Sequence, residues 1–453
     1  MNIHLLTPAL ICSLLFLSAC QAGLGPTSVL RPGPVSGSLD LGVFSKGITV
    51  PGSSEPTVTQ VSLMENMDLT GKDFRQQNLS NYSFKNSTLT GADFTGANLS
   101  NVDFTGANLS DAKFVGATMS QTILTGATLK GADFSNVDLQ TVKVKNARAC
   151  VFDDYDLTGA NFSGTRLTGG FWGANLTNAD FSNATLVTNT YFTSATFKGS
   201  KFVNVDMRRL LGYKSLAGDF TSYDFTGADL SGTTLTGSNF NSANLTDAKL
   251  SGATVTGTKL HKATLKGVDF SKVNLTEALG TNGTKGEFEL YDFTDADFTG
   301  ATLDGINFFG ATFTRAVFTG ASLNTTRLQD AKITFATFKQ VDLRTVIGEA
   351  GKTNNFYKFD FTFVDLSDAN LEGAIFRYAT ISGSNFSGAN LKKANFSNST
   401  IFTVNFYDCN LEYSNFTNAT ITNTNFAKAD IDYFTWTNGK TYGDIDDDFL
   451  NGV

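Results

Sequence analysis

A large apolar residue recurs at every fifth position along most of the chain. Phe84, Leu89, Phe94 and Leu99 show this rhythm, which begins at Leu69. An α-helix repeats its faces about every 3.6 residues and a strand about every two, so a period of five belongs to neither. We call each five-residue unit a pentad and its large apolar residue the centre. The pattern predicts a coiled chain that buries one large side chain per pentad.

The other positions of the pentad are specialised too. The residue two before the centre is small, as at Ala92, Ala97 and Ala107. Asp or Asn comes directly before the centre, and Ser or Thr follows it, often with Gly next. We expect the centre and the small residue to point inward and the other three to face solvent. Because Asx and Thr side chains bond local backbone groups in turns, the polar positions are predicted to form corners.

Segments such as TGADF, TGANL and SGANL resemble the A(D/N)LXX unit of the pentapeptide-repeat family. The resemblance covers residues 67–436. It implies an all-β fold, a right-handed four-sided parallel β-helix in which four pentads make one coil. Stacking at the strand spacing of about 4.8 Å would place the Phe and Leu centres in columns and give about 17 coils.

The pentads are grouped in a second, longer period of 68 residues. The rhythm breaks after Leu139, Met207, Leu275 and Leu343 and resumes at Phe152, Phe220, Phe288 and Phe356. One such period holds twelve pentads plus eight further positions, which makes three coils and one loop. Since each loop returns after whole coils, we predict that the four loops leave one corner and stack along one edge.

Two details refine this picture. The copy that begins at Phe152 slips near Trp172, where we expect a one-residue bulge. Trp172 and Trp436 fall at centres and are therefore expected in the core. After Leu411 the rhythm runs on to Trp436, so no fifth loop is expected.

The start of the chain, positions 1–60, lacks the pattern and contains all the prolines. Residues 5–19, LLTPALICSLLFLSA, are typical of a signal peptide because they are apolar and end in small residues. The segment from Leu17 to Cys20 resembles a bacterial lipobox, which implies lipidation of Cys20. We divide the chain into a signal peptide (1–19), a Pro/Gly/Ser-rich tether (20–60), the β-helix (61–436) and an acidic cap (437–453). The 68-residue copies start near residues 84, 152, 220, 288 and 356.

This start of the chain predicts a protein of the bacterial cell envelope, held to the membrane by its N-terminal lipid. If the source is Gram-negative, the outer membrane is expected. The region before the apolar stretch has no Lys or Arg, in departure from most such signals. An ordinary secretory signal and a secreted protein are therefore the alternative.

The composition of the chain limits the ligands and reactions that it can support. A net charge of −8 argues against nucleic-acid binding, which needs clustered cations. Two histidines exclude a histidine-rich metal site, and the aspartates of the tail lack the EF-hand pattern. His261 follows a centre and is expected to be solvated. We predict no catalytic residue, no cofactor and no metal.

The cysteines of the repeats are too far apart to pair within one chain. Cys150 and Cys409 are almost four 68-residue units apart, well beyond the Cα separation of about 4.4–6.8 Å that a disulfide tolerates. Cys409 lies two before a centre and is predicted to point inward. Cys150 lies in the first loop, where it is either a free thiol or a partner in an intermolecular disulfide.

The loops are the candidate binding site because they carry clustered cations. These are Lys143, Lys145 and Arg148 in the first loop and Arg208, Arg209 and Lys214 in the second. One hypothesis is that this corner binds anionic envelope polymers or lipid head groups. The alternative is that the six residues belong to ordinary solvated insertions.

These features favour a non-enzymatic scaffold or interaction surface, as repeat solenoids commonly are. Its partner is expected to be a protein or an envelope polymer, and the oligomeric state is left open. Some members of the resembled family imitate DNA and protect topoisomerases, but they act in the cytoplasm, which the export signal disfavours. A carbohydrate-active β-helix enzyme needs converging carboxylates, whereas here Asp and Asn are spread along the whole repeat.

Overall fold

The computed structural model describes residues 63–187, 190–208, 210–212 and 216–443. The chain divides into two units, Met1–Asp40 and Leu41–Val453, and every described residue belongs to the second. The predicted signal peptide, Cys20, the whole tether and the tail from residue 444 lie outside the described residues. No described helix is long and apolar enough to cross a membrane.

The repeats form an all-β solenoid held together by parallel pairing between coils. Residue i pairs with residue i+20, as in Asp93 with Lys113 and Asn98 with Thr118, and such bridges recur at every fifth position. Within the described ranges, five stretches qualify as strands: β1 (Arg166–Leu167), β2 (Thr185–Leu186), β3 (Thr380–Ser382), β4 (Thr400–Phe402) and β5 (Thr420–Thr422). β1 pairs with β2, and β3, β4 and β5 form a second parallel sheet. The four-sided section, the handedness and the number of coils stay predictions.

The core consists of the pentad centres and the small residues, as predicted. Phe94 and Phe386 have no solvent exposure, and neither has Ala92. The rings of successive coils stack: the centroids of Phe94 and Phe114 lie 5.3 Å apart with nearly parallel planes. Burial of each such side chain stabilises the fold by roughly 1.5–3 kcal/mol.

The polar positions form the corners, also as predicted. The Ala97 N–H donates to the Phe94 carbonyl at 2.9 Å across a turn whose third residue, Gly96, has a φ of 66°. A positive φ at that position is the mark of a type II turn and favours Gly or Asn. The Asp93 carboxylate accepts the Thr95 N–H at 2.9 Å, which fixes the start of the turn.

The loops are short hairpins. Each is closed by one antiparallel bridge: Lys143 with Ala149, Leu211 with Ala217, Leu279 with Lys285, and Ile347 with Thr353. Short 3-10 turns lie inside three of them, at Lys145–Ala147, Thr281–Gly283 and Glu349–Gly351. Across a hairpin, residue i pairs with residue i+28, as in Asp133 with Asn161, so each hairpin adds eight positions to the coil.

The hairpins share one edge, which confirms the prediction from the 68-residue period. A continuous series of parallel bridges runs from one hairpin to the next. Between the third and the fourth it passes through Glu287, Asn307, Arg327 and Ile347. We call this series the hairpin column.

A fifth hairpin is present, and the prediction that none would occur was wrong. Thr435 bridges Thr441 antiparallel, and the Trp436 N–H donates to the Lys440 carbonyl at 2.9 Å. Thr435 also pairs with Asn415, so this hairpin lies on the hairpin column. It starts at the last centre, Trp436, and therefore interrupts no later repeat. Trp436 itself is half-buried and packs against the core.

The expectation that Trp172 lies in the core was also wrong. Trp172 is 49% exposed, and its neighbour Phe171 is fully buried in its place. The coil is one residue shorter here, with Val151 paired to Gly170, and the next coil is one residue longer, with Gly170 paired to Tyr191. Gly169 permits the short step because its φ is 113° and a Cβ there would lie 2.1 Å from the Cys150 carbonyl oxygen. A missing residue followed by an extra one thus replaces the expected single bulge.

Candidate functional site

The structure describes four of the six predicted cationic residues. Lys145 lies at the first hairpin, where its ammonium pairs with Asp154 at 2.5 Å, and this hydrogen bond raises the pKa of Lys145. Arg208 pairs with Asp206 at 2.7 Å. Lys143 is half-buried and Arg148 is exposed. Nearby carboxylates thus partner two of these cations.

The other two predicted residues, Arg209 and Lys214, lie outside the described residues. The anion-binding hypothesis for this corner stays a prediction. The two surface ion pairs, Lys145 with Asp154 and Arg208 with Asp206, contribute little to stability.

Beside each of the first four hairpins the backbone ladder between two coils is interrupted. Among the described residues, Leu129 and Asp156 make no backbone hydrogen bond to each other, although they face each other across the first of these gaps. The ladder is intact on both sides: Leu124 N–H donates to the Lys143 carbonyl at 2.7 Å and Gly131 N–H to the Thr158 carbonyl at 2.9 Å. The same interruption recurs in every unit, at the pairs Leu129 and Asp156, Phe197 and Asp224, Leu265 and Asp292, and Ile333 and Asp360.

The first, third and fourth of these interruptions open as clefts next to their hairpins. The first cleft lies between residues 125–129 and 153–156 and has a volume of about 470 Å³. The third, between 261–265 and 289–292, measures about 340 Å³, and the fourth, between 330–334 and 357–360, about 610 Å³. Such volumes are typical of ligand sites, which range over roughly 300–1,000 Å³. The hairpin causes the opening, because it leads the chain away from the coil below before the chain returns.

An aromatic residue lies beside each of the four interruptions. The Tyr155 hydroxyl donates to the Leu124 carbonyl at 3.1 Å and accepts the Gly126 N–H at 2.8 Å. Tyr223 and Tyr291 make the equivalent pairs of bonds in the second and third units. Burial raises the pKa of all three hydroxyls, so they remain protonated donors at neutral pH. The fourth unit has Phe359 instead and the largest of the three measured clefts.

Sequence reasoning missed these clefts, although a signal was present. Tyr155, Tyr223 and Tyr291 occupy the pentad position that holds a smaller residue in the coils between the hairpins. Among the described pentads, the other rings at this position are Phe359, after the fourth loop, and Tyr82 and Phe434 in the first and last coils. A tyrosine there, directly after each of the first three loops, indicates that the neighbouring coil has moved away.

Tyr223→Phe is expected to raise the free energy of the native state by about 1–3 kcal/mol, because it leaves the carbonyl of the buried Phe192 and the N–H of Ser194 without the hydroxyl. The reciprocal change, Phe359→Tyr, supplies that hydroxyl to the fourth cleft and is expected to stabilise by about 0.5–1.5 kcal/mol. Native-state hydrogen exchange at Ser194 and Asp330 measures both effects. Equal exchange in wild type and both variants would contradict the role of the hydroxyl.

His261 is tied to a hairpin and is not simply solvated. Its Nδ1 accepts the Asn282 N–H at 3.0 Å, which joins the third hairpin to the coil below. The imidazole is half-buried and lines the third cleft. Its contact is therefore structural.

Both described cysteines are buried free thiols. Cys409 points inward as predicted, with 1% exposure. Cys150 has no exposure, so the alternative of an intermolecular disulfide through it is contradicted. Burial raises the pKa of each thiol to about 12, which suppresses the reactive thiolate.

Two other surface features were considered. Carboxylate oxygens of Glu412, Asp430 and Asp432 lie within 4.8 Å of one another, but Glu412 is bonded by the Lys392 ammonium, and we assign no metal site to them. Exposed aromatic rings also pair on the surface, as Phe335 and Phe363 do with centroids 5.0 Å apart. Neither feature recurs with the 68-residue period.

Comparison with known proteins agrees with this architecture. The sequence matches the family model described as pentapeptide repeats over residues 68–106, 103–140, 171–209, 224–261, 292–330 and 306–344. Residues 359–436 match a second model, described as a pentapeptide repeat region. Together these matches cover more than half of the chain, which therefore belongs to the pentapeptide-repeat family. No curated protein matches it.

Solved structures of pentapeptide-repeat proteins align with the chain at low identity. QnrB1, a plasmid-mediated fluoroquinolone resistance protein, is 19% identical over 44% of this chain and 85% of its own, with a TM-score of 0.25. HetL, involved in heterocyst differentiation regulation in the cyanobacterium Nostoc sp. strain PCC 7120, is 21% identical over 62% of this chain and 94% of its own, with a TM-score of 0.14. At these values the alignments carry no argument about function.

Proposed function

We propose that this protein is a non-enzymatic scaffold of the bacterial cell envelope whose hairpin column binds a partner protein. The observation that supports it is the repetition of one surface unit, a hairpin with its adjoining break in the backbone ladder, at 68-residue intervals along a single edge. Stacked repeats commonly present extended binding surfaces of this kind. A partner with matching spacing would contact several units at once and gain avidity.

A protein partner is favoured over an anionic polymer. Of the predicted cations at the first two hairpins, Lys145 and Arg208 are each paired with a carboxylate. An anionic polymer would have to compete with Asp154 and Asp206 for them. Hairpins that combine backbone turns, mixed charge and clefts suit the varied groups of a protein surface better.

The location rests on the resemblance of the segment ending at Cys20 to a lipobox. Lipidation of Cys20 would hold the repeats at a membrane, with residues 21–60 as a tether. The variant Cys20→Ser is expected to leave the membrane fraction, and intact-protein mass spectrometry of the wild type is expected to show the added lipid. Retention of the variant on the membrane would contradict the anchor.

Partner binding is tested by deletions that leave the repeat intact. Removing residues 280–287 and 348–355 joins Leu279 to Phe288 and Ile347 to Phe356, which restores the pentad rhythm. Proximity labelling in intact cells is expected to lose the partner in this variant. The control removes residues 385–404, one complete coil without a hairpin, and should keep the partner. Undiminished labelling in the hairpin deletion would refute the proposed function.

A further inference from the structure

We propose that the clefts beside the hairpins bind extended segments of the partner polypeptide by backbone pairing. This inference rests on the proposed function, since it takes the partner to be a protein. Beyond the proposed function, it names the clefts as the binding site and backbone hydrogen bonding as the mode of contact. Neither follows from the hairpin column or from membership of the family.

The two sides of each cleft are open strand edges. In an undisturbed coil Leu109 N–H donates to the Thr128 carbonyl and Thr128 N–H donates to the Ala107 carbonyl, both at 2.9 Å. At the first cleft the equivalent groups of the described backbone, the N–H of Leu129 and of Asp156 and the carbonyl of Ala127, have no backbone partner. Each side therefore presents donors and acceptors in the spacing of a strand.

An extended peptide supplies the complementary pattern. Added strands bind exposed sheet edges through main-chain hydrogen bonds, and alternate side chains add specificity. Proteins usually protect such edges because they attract other chains. Here the same edge stays open in four successive units. In the first three, the tyrosine hydroxyl bonds the backbone at one position beside the open groups.

The charges that line the clefts also favour a ligand that is recognised through its backbone. The charged residues are Lys145, Asp153, Asp154 and Asp156 at the first cleft and Asp330, Lys332, Glu349, Lys358 and Asp360 at the fourth. Carboxylates outnumber ammonium groups at both clefts, which disfavours an anionic ligand, and the charged positions differ between them. The open backbone groups are what the units share, so a common ligand is one that pairs with them.

The fourth cleft is expected to bind most tightly. Its volume of about 610 Å³ is the largest of the three measured. Phe359 lacks the hydroxyl that the other units use, and among the described residues the Asp330 N–H has no hydrogen-bond partner. This cleft therefore offers one additional donor to an incoming strand.

Panning a phage-displayed random dodecapeptide library against the full chain tests the proposal, with the variant lacking residues 348–355 as the counter-target. An enriched peptide is then synthesised with N-methyl groups on its central residues or, as a control, on a terminal residue. Central N-methylation removes backbone donors and is expected to lower affinity at least tenfold, while terminal N-methylation should change it less than about threefold.

Hydrogen exchange locates the contact. The bound peptide is expected to slow exchange at the N–H groups of Ile333 and Asp360 at least tenfold, while Phe335, already bonded to the Thr362 carbonyl at 2.9 Å, should be unchanged. Phe359→Tyr keeps the hairpin and the charges and should weaken the peptide severalfold. Failure to enrich any peptide over the deletion variant, indifference to central N-methylation, or unchanged exchange at Ile333 and Asp360 would overturn the proposal. If one of these results were found while the hairpin deletion still lost the partner label, the peptide-binding proposal would be wrong and the scaffold function would be retained.

Discussion

Replacing Phe318 by alanine is expected to destabilise the repeats by about 3–5 kcal/mol, because it removes a buried ring from a continuous stack. Phe318 has no solvent exposure. Its ring lies 5.0 Å from that of Phe298 in the coil below and 4.6 Å from that of Phe338 in the coil above. Its neighbours belong to separate coils joined mainly by backbone bonds, so the cavity cannot close without breaking the ladder.

Phe335→Ala is the matched control. Phe335 is 50% exposed and stacks on one surface ring, that of Phe363. Its removal should cost about 1–1.5 kcal/mol. Urea unfolding followed by circular dichroism, together with Trp436 fluorescence in a Trp172→Phe background, measures both variants. Because stability in a repeat protein is a sum over neighbouring units, the core variant is also expected to unfold in two steps. Equal losses for the two variants would contradict an inward role for the centres.

The coil and its hairpins could be predicted because both are periodic signals in one dimension. A buried position demands a large apolar residue at fixed spacing, and this holds at Phe94 and Phe386 alike. Eight extra positions at 68-residue intervals likewise place every hairpin on one edge, whatever their individual sequences. The fifth hairpin escaped this logic because it follows the last centre, so no later repeat shows a shift.

Trp172 shows where residue type alone misleads. A tryptophan next to a phenylalanine looks like the better core residue, yet the backbone decides which of the two points inward. Gly169, with its φ of 113°, shortens the turn by one residue and brings Phe171 to the centre. The backbone conformation of one glycine thus decided which side chain is buried, in spite of the larger size of tryptophan. A five-residue period alone does not reveal such a shortened turn.

The clefts could not be predicted from residue spacing, since they depend on how two coils diverge around a hairpin. The residue types at positions 129 and 156, Leu and Asp, do not reveal that their N–H groups lack a backbone partner. Their trace in the sequence is indirect: a tyrosine at the small position of the pentad, where a close neighbouring coil would exclude it. The cationic residues drew attention to the same edge, but the pairing of Lys145 with Asp154 depends on the fold.

Ala311→Tyr tests whether that small position is closed wherever the coils are regular. Ala311 lies one complete coil beyond Tyr291, occupies the same pentad position and has no solvent exposure. Its N–H donates to the Phe308 carbonyl at 3.0 Å, and the Thr312 N–H donates to the Tyr291 carbonyl at 2.9 Å, so no gap is present. A ring inserted there must push the coils apart, and its hydroxyl would be buried without a partner.

The expected loss for Ala311→Tyr is about 3 kcal/mol or more, from overpacking together with an unsatisfied buried hydroxyl. Phe359→Tyr is the control, since it places the same side chain at the same pentad position beside a cleft and should not destabilise. Chemical unfolding of the two variants gives the difference, and hydrogen exchange at Lys332, whose N–H donates to the Ala311 carbonyl at 2.9 Å, locates the damage. If both variants were equally stable, regular coils would have room for a ring, and the tyrosines after the hairpins would no longer mark an opening between coils.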